Sequence, residues 1–435
     1  MSFDLKTQIQ PPVIIIGLAR SGLAAHKLLL AAGFQEKDIL TYDEHKTTAQ
    51  YRTEKELEAL THIKTAIISP GVSLQKKFIQ NWRSQGVFIT SEIHLALSQI
   101  STEKIIGITG SLGKSTTTSI IGAGILSFDE NVFVGGNLGI PFCEYALSIH
   151  KNPSLKAKWI VLELSSYQLE NAGDLALDYS MITFLSPNHL ERYSSLEEYY
   201  DTKWTILKRT RTRLILNESG GDLKSFVSKK KTEKIRWASA QSAEIQSYRL
   251  SAAQLIGKHN QDNLAMAAVL GLECGFPLSY FAALREFRGL KHRMENLGSQ
   301  RGNVFINDSK ATTIDSVRAA VHAVQESFPN EKIRLLLGGR DKKLPWSELK
   351  YLATDPGLEI LFFGEHGQII QQTLGSQGPY FSKLSDLLQF LSSSGWISSA
   401  IILFSPGGVS QDEFSSFEER GEFFRSWVQS VLTHR

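Results

Sequence analysis

Short apolar, β-branched runs alternate along the chain with longer stretches in which apolar residues recur at helical spacing. Runs at residues 13–16, 39–42, 65–69, 105–109, 159–162, 181–185, 213–216, 334–337, 359–363 and 400–404 predict strands. The amphipathic segments between them predict helical crossovers, so the pattern is that of an α/β protein built on parallel sheets. We find no internal repeat and no low-complexity tract. Three strand-to-helix restarts, near Gly17, Gly110 and Asn307, each couple a buried strand to a turn rich in glycine or polar groups. They predict three domains, at residues 1–95, 96–297 and 298–435, in keeping with the usual size of a compact unit.

Composition adds bounds. Of 435 residues, 42% are apolar and 21% charged, which fits a folded globular protein. A net charge of +3 with mixed signs gives no footprint for nucleic acid or a membrane surface, and the basic run 229–231 reads as a solvated loop. Cys143 and Cys274 are far apart and form no CxxC, so neither a disulfide framework nor a zinc cluster is expected. The first residues lack a signal organisation and no apolar stretch has spanning length, so a cytoplasmic location is expected.

The first restart, Gly17-Leu-Ala-Arg-Ser-Gly22, is a GxGxxG turn with Ala19 in place of the middle glycine. That Cβ keeps a pyrophosphate from the backbone and weakens a nicotinamide reading. A tight turn with close helix packing explains Gly17 and Gly22 equally well. Asp43 and Ser69-Pro70-Gly71 nevertheless end neighbouring strands, where open α/β sheets take ligands. The second restart, Gly110-Ser-Leu-Gly-Lys-Ser115, is a shortened phosphate-binding loop, since Ile108 stands where the longer pattern has its first glycine. Backbone N–H groups at a helix start cradle phosphates even in a short loop. Lys114 would neutralise the terminal phosphates and Ser115 would offer a magnesium ligand. Glu163 ends the apolar run 159–162, which sets a carboxylate beside that loop, an expensive place unless a cation meets it.

Beyond strand 181–185 lie His189, Glu191 and Arg192 and a helix predicted from about residue 196 to 208. On it, Lys203 has Tyr199, Tyr200, Ile206 and Leu207 at helical spacing and no acid. Two readings stand: an ammonium snorkelling to water, or a desolvated amine that is nucleophilic or takes up CO2.

At this point the chain resembles the Mur ligases, ATP-dependent amide-forming enzymes of peptidoglycan synthesis. The residues that carry the likeness are Gly110-Ser-Leu-Gly-Lys-Ser-Thr116, Gly135-Gly-Asn-Leu-Gly-Ile-Pro141, Glu163-Leu-Ser-Ser-Tyr-Gln-Leu169, Asn188-His-Leu-Glu-Arg-Tyr193 and Lys203. They continue through Gly257-Lys-His-Asn-Gln-Asp-Asn263, His292-Arg-Met-Glu295, Asn307-Asp-Ser-Lys-Ala-Thr312 and Gly338-Gly-Arg-Asp-Lys342. Ser405-Pro-Gly-Gly-Val-Ser410 with Phe417-Glu-Glu-Arg-Gly421 points to the branch that adds D-glutamate.

The resemblance implies an N-terminal Rossmann-like domain for a UDP-bearing substrate, a central P-loop ATPase-type domain and a C-terminal Rossmann-like domain for the amino acid. It implies a monomer acting on UDP-N-acetylmuramoyl-L-alanine and D-glutamate, without nucleic-acid or membrane partners. It implies that Gly110, Ser111, Gly113, Lys114, Ser115 and Thr116 hold ATP phosphates, with Asn260, Asn263, Arg293 and Asp308 also on the nucleotide. Catalysis would fall to Lys114, Glu163, His189, Lys203 and Lys310. Two Mg2+ ions are implied, one on Ser115 and Glu163, the other on Glu163, His189 and an N-carboxylated Lys203.

Arg20, Ser21, Asp43, Ser69 and Gly71 match the uridine side, with Asn137, Gln168 and His189 on the sugar-peptide arm, and Thr312, Lys342, Ser410 and the Phe417 backbone match D-glutamate positions. The altered glycine fingerprint then suits a uridine diphosphate rather than NAD. Three residues depart from the family pattern: Leu112 stands where asparagine is usual, and Asn188 and Glu191 replace aspartates. Competing readings are another Mur ligase, a folylpolyglutamate-synthetase-like ligase, a dehydrogenase built on residues 13–43, and a nucleotide-binding regulatory module without turnover.

Overall fold

A computed structural model describes residues 5–187, 192–230, 232–250, 255–257, 259–393 and 399–433. The chain forms two compact units, the first comprising Met1–Arg249 with Asp262–Leu284, the second Leu250–Gln261 with Arg285–Arg435.

The first unit holds two parallel sheets. One takes β1 (Val13–Ile16), β2 (Ile39–Tyr42), β3 (Thr65–Ile68) and β4 (Phe88–Thr90) in the order β2-β1-β3-β4. The other takes β5 (Lys104–Thr109), β6 (Val132–Gly136), β7 (Trp159–Glu163), β8 (Leu177–Ile182), β9 (Thr210–Asn217) and β10 (Ile235–Ala238) in the order β10-β9-β8-β5-β7-β6. β1, β5 and β7 are buried on both faces, which their continuous apolar sequences require. The two sheets share one core, to which the helices Arg20–Ala31, Glu92–Ala96 and Phe142–Lys151 contribute Leu28, Ile93, Leu95, Phe142 and Ala146. Residues on both sides of position 95 therefore pack together.

The second unit carries one sheet of β11 (Glu295–Gln300), β12 (Asn303–Asn307), β13 (Ile333–Gly338), β14 (Leu358–Phe363), β15 (Tyr380–Phe381) and β16 (Ile401–Gly407). Its order is β11-β12-β16-β13-β14-β15, parallel except for the β11–β12 hairpin.

Each predicted run falls on a strand, with two local differences. The run expected at 181–185 is observed as β8, Leu177–Ile182. Its start is masked in the sequence by Asp178 and Ser180, which are satisfied inside the sheet: Asp178 Oδ2 accepts the Ile105 N–H at 2.8 Å and Ser180 bonds the Thr210 hydroxyl. The helix expected at 196–208 is split into Leu196–Trp204 and Ile206–Arg209. At the break the Thr205 hydroxyl donates to the Thr202 carbonyl at 2.7 Å, competing with the helical ladder.

Candidate active site

The short glycine loop is formed as the sequence requires. β5 runs into Gly110 at φ +152°, and Gly113, at φ +80°, is the residue before the helix Lys114–Leu126. A Cβ at Gly113 would sit 2.7 Å from Asn263 Oδ1, so both conformation and space demand glycine there. The loop is tied to the end of β8 by the Ser111 N–H donating to the Phe184 carbonyl at 2.7 Å and by Thr183, whose hydroxyl donates to the Leu112 carbonyl. Ser111 Oγ donates to the Ser186 carbonyl at 3.0 Å and meets the Tyr199 hydroxyl at 3.1 Å. Asn263 Oδ1 accepts from Thr117 Oγ1 at 3.2 Å, which fixes the first turn of the helix. Ser115 and Thr116 lie half-buried in that turn, while Leu112 is 58% exposed on the loop.

Two lysines converge on the loop. Lys114 Nζ donates to the Gly110 and Ser111 carbonyls at 2.8 and 3.2 Å, and Lys203 Nζ donates to the same Gly110 carbonyl at 2.9 Å. Lys203 is buried, with its Nζ 4.8 Å over the Tyr199 ring. Burial, reinforced by the Lys114 charge and opposed by Glu163, pushes its amine well below the ordinary lysine range. The snorkelling reading is thereby corrected: the Lys203 side chain is buried, with its amine on the Gly110 carbonyl of the loop.

Glu163 ends β7 opposite Ile108 of β5, two residues before the loop. It is buried, and Oε1 accepts from Asn137 Nδ2 at 2.6 Å, whereas Oε2 has no hydrogen-bond partner among the described residues. A buried carboxylate oxygen left bare costs on the order of 1–3 kcal/mol or more, and an oxygen-coordinated cation is what this atom suits. The donor set, a carboxylate with the Ser115 hydroxyl in the neighbouring first turn, fits a hard ion such as Mg2+. His189, with Asn188 and Glu191, lies outside the described residues.

A cavity of about 280 Å³ in the first unit gathers Arg20, Ser21, Asp43, Ser69 and Gly71 with Asn137 and Gln168. All seven residues assigned from the sequence to the UDP-bearing substrate, His189 apart, thus line one space. Burial would raise the Asp43 carboxyl, but the N–H groups of Leu18, His45 and Lys46, at 2.7, 2.9 and 3.1 Å, more than offset it and hold it below the usual range. Arg20 Nη1 donates to the Gly139 carbonyl at 2.9 Å and Ser69 Oγ to the Gly17 carbonyl at 2.8 Å. Asn137 belongs to this cavity and to the Glu163 carboxylate at once.

The remaining assignments lie in the second unit. Asp308 follows β12 and is fully buried, which pushes its carboxyl up to about 7 against hydrogen bonds from Ser405 Oγ and the Met294 N–H, at 2.8 and 3.1 Å, and the Arg293 charge. Arg293 is flanked by His292 and Met294 at φ +61° and +45°, left-handed backbone that residues other than glycine seldom adopt. Lys310 is exposed with its Nζ 5.4 Å over the Phe417 ring. The Phe417 carbonyl accepts from Ser309 Oγ at 2.8 Å, and the Ser410 carbonyl from Glu413 and Phe414 N–H groups. Thr312 is half-buried and Lys342 exposed. The Asn260 amide donates to the Ile256 carbonyl at 2.6 Å.

Three supporting residues were not singled out by sequence. Thr183 and Tyr199 brace the glycine loop, and a strand-end Thr and a helical Tyr carry no signal of that. Arg420 is wholly buried, donating to Ser309 Oγ, Ser309 O and Gly408 O at 3.1, 2.9 and 3.1 Å, and burial lowers it to about 10. An arginine on an otherwise apolar helical stripe was the available hint.

Comparison with known proteins bears on the whole chain. Residues 108–271 match the Mur ligase middle domain. The UDP-N-acetylmuramoylalanine--D-glutamate ligase of Anaeromyxobacter dehalogenans is 32% identical over 95% of this chain and 96% of its own. That of Haemophilus influenzae is 31% identical over 96% and 98%. Among solved structures, MurF from Acinetobacter baumannii aligns with a TM-score of 0.58 at 16% identity, covering 93% of this chain and 98% of that one. The UDP-N-acetylmuramate-alanine ligase of Thermotoga maritima aligns with a TM-score of 0.56 at 19% identity, covering 97% and 100%. These two show the likeness of fold. With relatives above 30% identity along nearly its full length, a matching middle domain and a loop built around Lys114, Glu163 and Lys203, the chain belongs to the Mur ligase family.

Proposed function

We propose that the chain joins D-glutamate to UDP-N-acetylmuramoyl-L-alanine, with ATP converted to ADP and phosphate, in the cytoplasm and as a monomer. The observation that carries the reading is the buried Glu163 Oε2, unpartnered among the described residues, at the strand end beside the Lys114 loop. A regulatory module that only held nucleotide would have no need of a second, desolvated lysine on the same loop carbonyl.

In this reading the substrate carboxylate attacks the γ-phosphorus and ADP leaves. The neutral amine of D-glutamate then adds to the acyl phosphate, loses a proton, and the tetrahedral intermediate expels phosphate. Lys114 and the N–H groups of residues 110–116 would stabilise charge on the transferring phosphoryl group. Ser115 and Glu163 would hold one Mg2+, and Glu163, His189 and Lys203 carrying a CO2-derived carboxylate a second. Bound there, Mg2+ supplies charge neutralisation between phosphate and carboxylate oxygens. Low basicity supports the Lys203 role, because only the free amine combines with CO2.

Arg20, Ser21, Asp43, Ser69 and Gly71 would take the uridine diphosphate and Asn137, Gln168 and His189 the sugar-peptide arm. Because the Asn137 amide bridges the cavity and Glu163, it would couple substrate loading to the geometry of the metal carboxylate. Asn260, Asn263, Arg293 and Asp308 would serve the nucleotide, and Lys310 the phosphates. Thr312, Lys342, Ser410 and the Phe417 backbone would receive the D-glutamate carboxylates. The roles divide as three domains at residues 1–95, 96–297 and 298–435.

The test is ADP release with UDP-N-acetylmuramoyl-L-alanine and Mg-ATP, offering D-glutamate, L-glutamate, D-alanine or meso-diaminopimelate. Turnover with D-glutamate alone is expected; turnover with another amine in its place would reassign the branch, and none with any would overturn the reading.

A further inference from the structure

A second cavity, of about 670 Å³, opens in the first unit, walled by Gly173 to Ala176, Thr205, Lys208 to Arg211 and Lys234. It lies at the amino ends of β8 and β9, beside Leu177 and Thr210. The glycine loop is braced at the other end of β8, through Thr183 and Phe184. Six residues of β8 separate the two ends, roughly 20 Å at the rise of a strand. Ligands of open α/β sheets gather at the carboxyl ends of strands, so this basin belongs to neither the loop nor the UDP cavity.

Its walls are charged in one sense. Lys208, Arg209, Arg211 and Lys234 face one acid, Asp174, whereas the chain as a whole balances 47 basic residues against 44 acidic ones. Among the described residues no carboxylate lies within 4 Å of Lys208 or Lys234. The pairs that exist are loose: Arg211 meets Asp178 at 3.8 Å with its side chain 65% exposed, and Asp174 meets His94 at 3.9 Å with its side chain 87% exposed. Arg209 is held from behind, its Nη1 donating to the Gly173 carbonyl and its Nε buried without a hydrogen-bond partner among the described residues. Lys234 Nζ donates to the Thr210 carbonyl at 2.7 Å. Two lysines and two arginines around a concave floor focus a positive potential, and guanidinium forks with ammonium groups are the chemistry that recognises phosphate oxygens.

We propose that this basin is an anion site for a chain of phosphates, as in an inorganic polyphosphate or the phosphate tail of a nucleotide. A linear tri-anion or larger matches the four cations, and the volume suits a ligand of that size.

The experiment is equilibrium dialysis of the full chain against inorganic tripolyphosphate in 50 mM salt. It is repeated with a Lys208→Glu/Arg211→Glu variant, with Lys208→Arg/Arg211→Lys, and with Lys114→Ala. Melting curves first establish that each variant folds. Binding is expected in the wild type and in Lys114→Ala, at least tenfold weaker in the charge-reversed variant, retained in the charge-conserving one, and steeply reduced by 300 mM salt. Metal-free ATP as the alternative probe, bound as tightly as tripolyphosphate, would show that the phosphates alone are read. No uptake at millimolar tripolyphosphate, uptake unchanged by charge reversal, or uptake abolished by Lys114→Ala would each overturn the proposal.

Discussion

Glu92 should make the protein less stable as pH rises through neutrality, and Glu92→Gln should abolish the effect. The residue opens the helix Glu92–Ala96, where an acid is normally welcome. It is nonetheless buried against the helix Phe142–Lys151, with Oε2 accepting the Cys143 N–H at 3.0 Å. Burial raises its carboxyl from 4.5 to about 7, against hydrogen bonds from Cys143 and Gln168 that pull it down. Below pH 4.5 both folded and unfolded chains hold the proton and the site is neutral in its effect. Between 4.5 and 7 the unfolded chain ionises while the folded one does not, so stability falls; above 7 the full cost is reached. At about 1.4 kcal/mol per pH unit the cost is about 3 kcal/mol, an upper value because enclosed groups relax.

Glutamine keeps the oxygen that accepts from Cys143 and cannot ionise. Denaturant unfolding at pH 5 and pH 8.5 should therefore show wild type losing up to about 3 kcal/mol relative to the variant, or roughly 6 °C in Tm for a unit of this size. Parallel pH profiles for the two proteins, or a variant that loses more than wild type at pH 8.5, would refute the argument.

Lys203→Ala should lower ADP release by at least about a hundredfold, with partial recovery on adding millimolar acetate or formate; full activity without additive would remove the carboxylated-lysine role. Glu163→Gln should melt at or above the wild-type temperature in the absence of Mg2+, since it relieves a bare buried carboxylate worth about 1–3 kcal/mol, yet lose turnover; calorimetry and the ADP assay read the two sides. Gly113→Ala should weaken Mg-ATP binding at least tenfold by calorimetry, because φ +80° and the Asn263 oxygen at 2.7 Å both oppose a Cβ.

What could be read from the sequence follows from where each residue sits in a sheet. The runs that announced themselves lie mainly at sheet centres, as with β1, β5, β7, β13 and β16, where burial on both faces demands an unbroken apolar stretch. Of the strands not announced, β4, β6, β10, β11 and β15 are all edges, and β12 was implied only by the restart at Asn307. An edge strand has one neighbour and half its surface open, so Phe88–Thr90 or Glu295–Gln300 carries no pattern that a loop could not.

The same distinction holds for the site. Gly113, Lys114 and Glu163 are legible because conformation, charge and burial each constrain one position and leave a mark on residue type. Lys203 showed only that it lacked an acid on its own helix; that its amine reaches the Gly110 carbonyl, 93 positions away in sequence, depends on how the Leu196–Trp204 helix crosses the loop. Glu92 and the basin at Lys208 and Arg211 belong to that class in full. A lone acid at a helix start and scattered surface cations are ordinary in sequence, and become chemistry only when packing removes water from the first and gathers the second around a hollow.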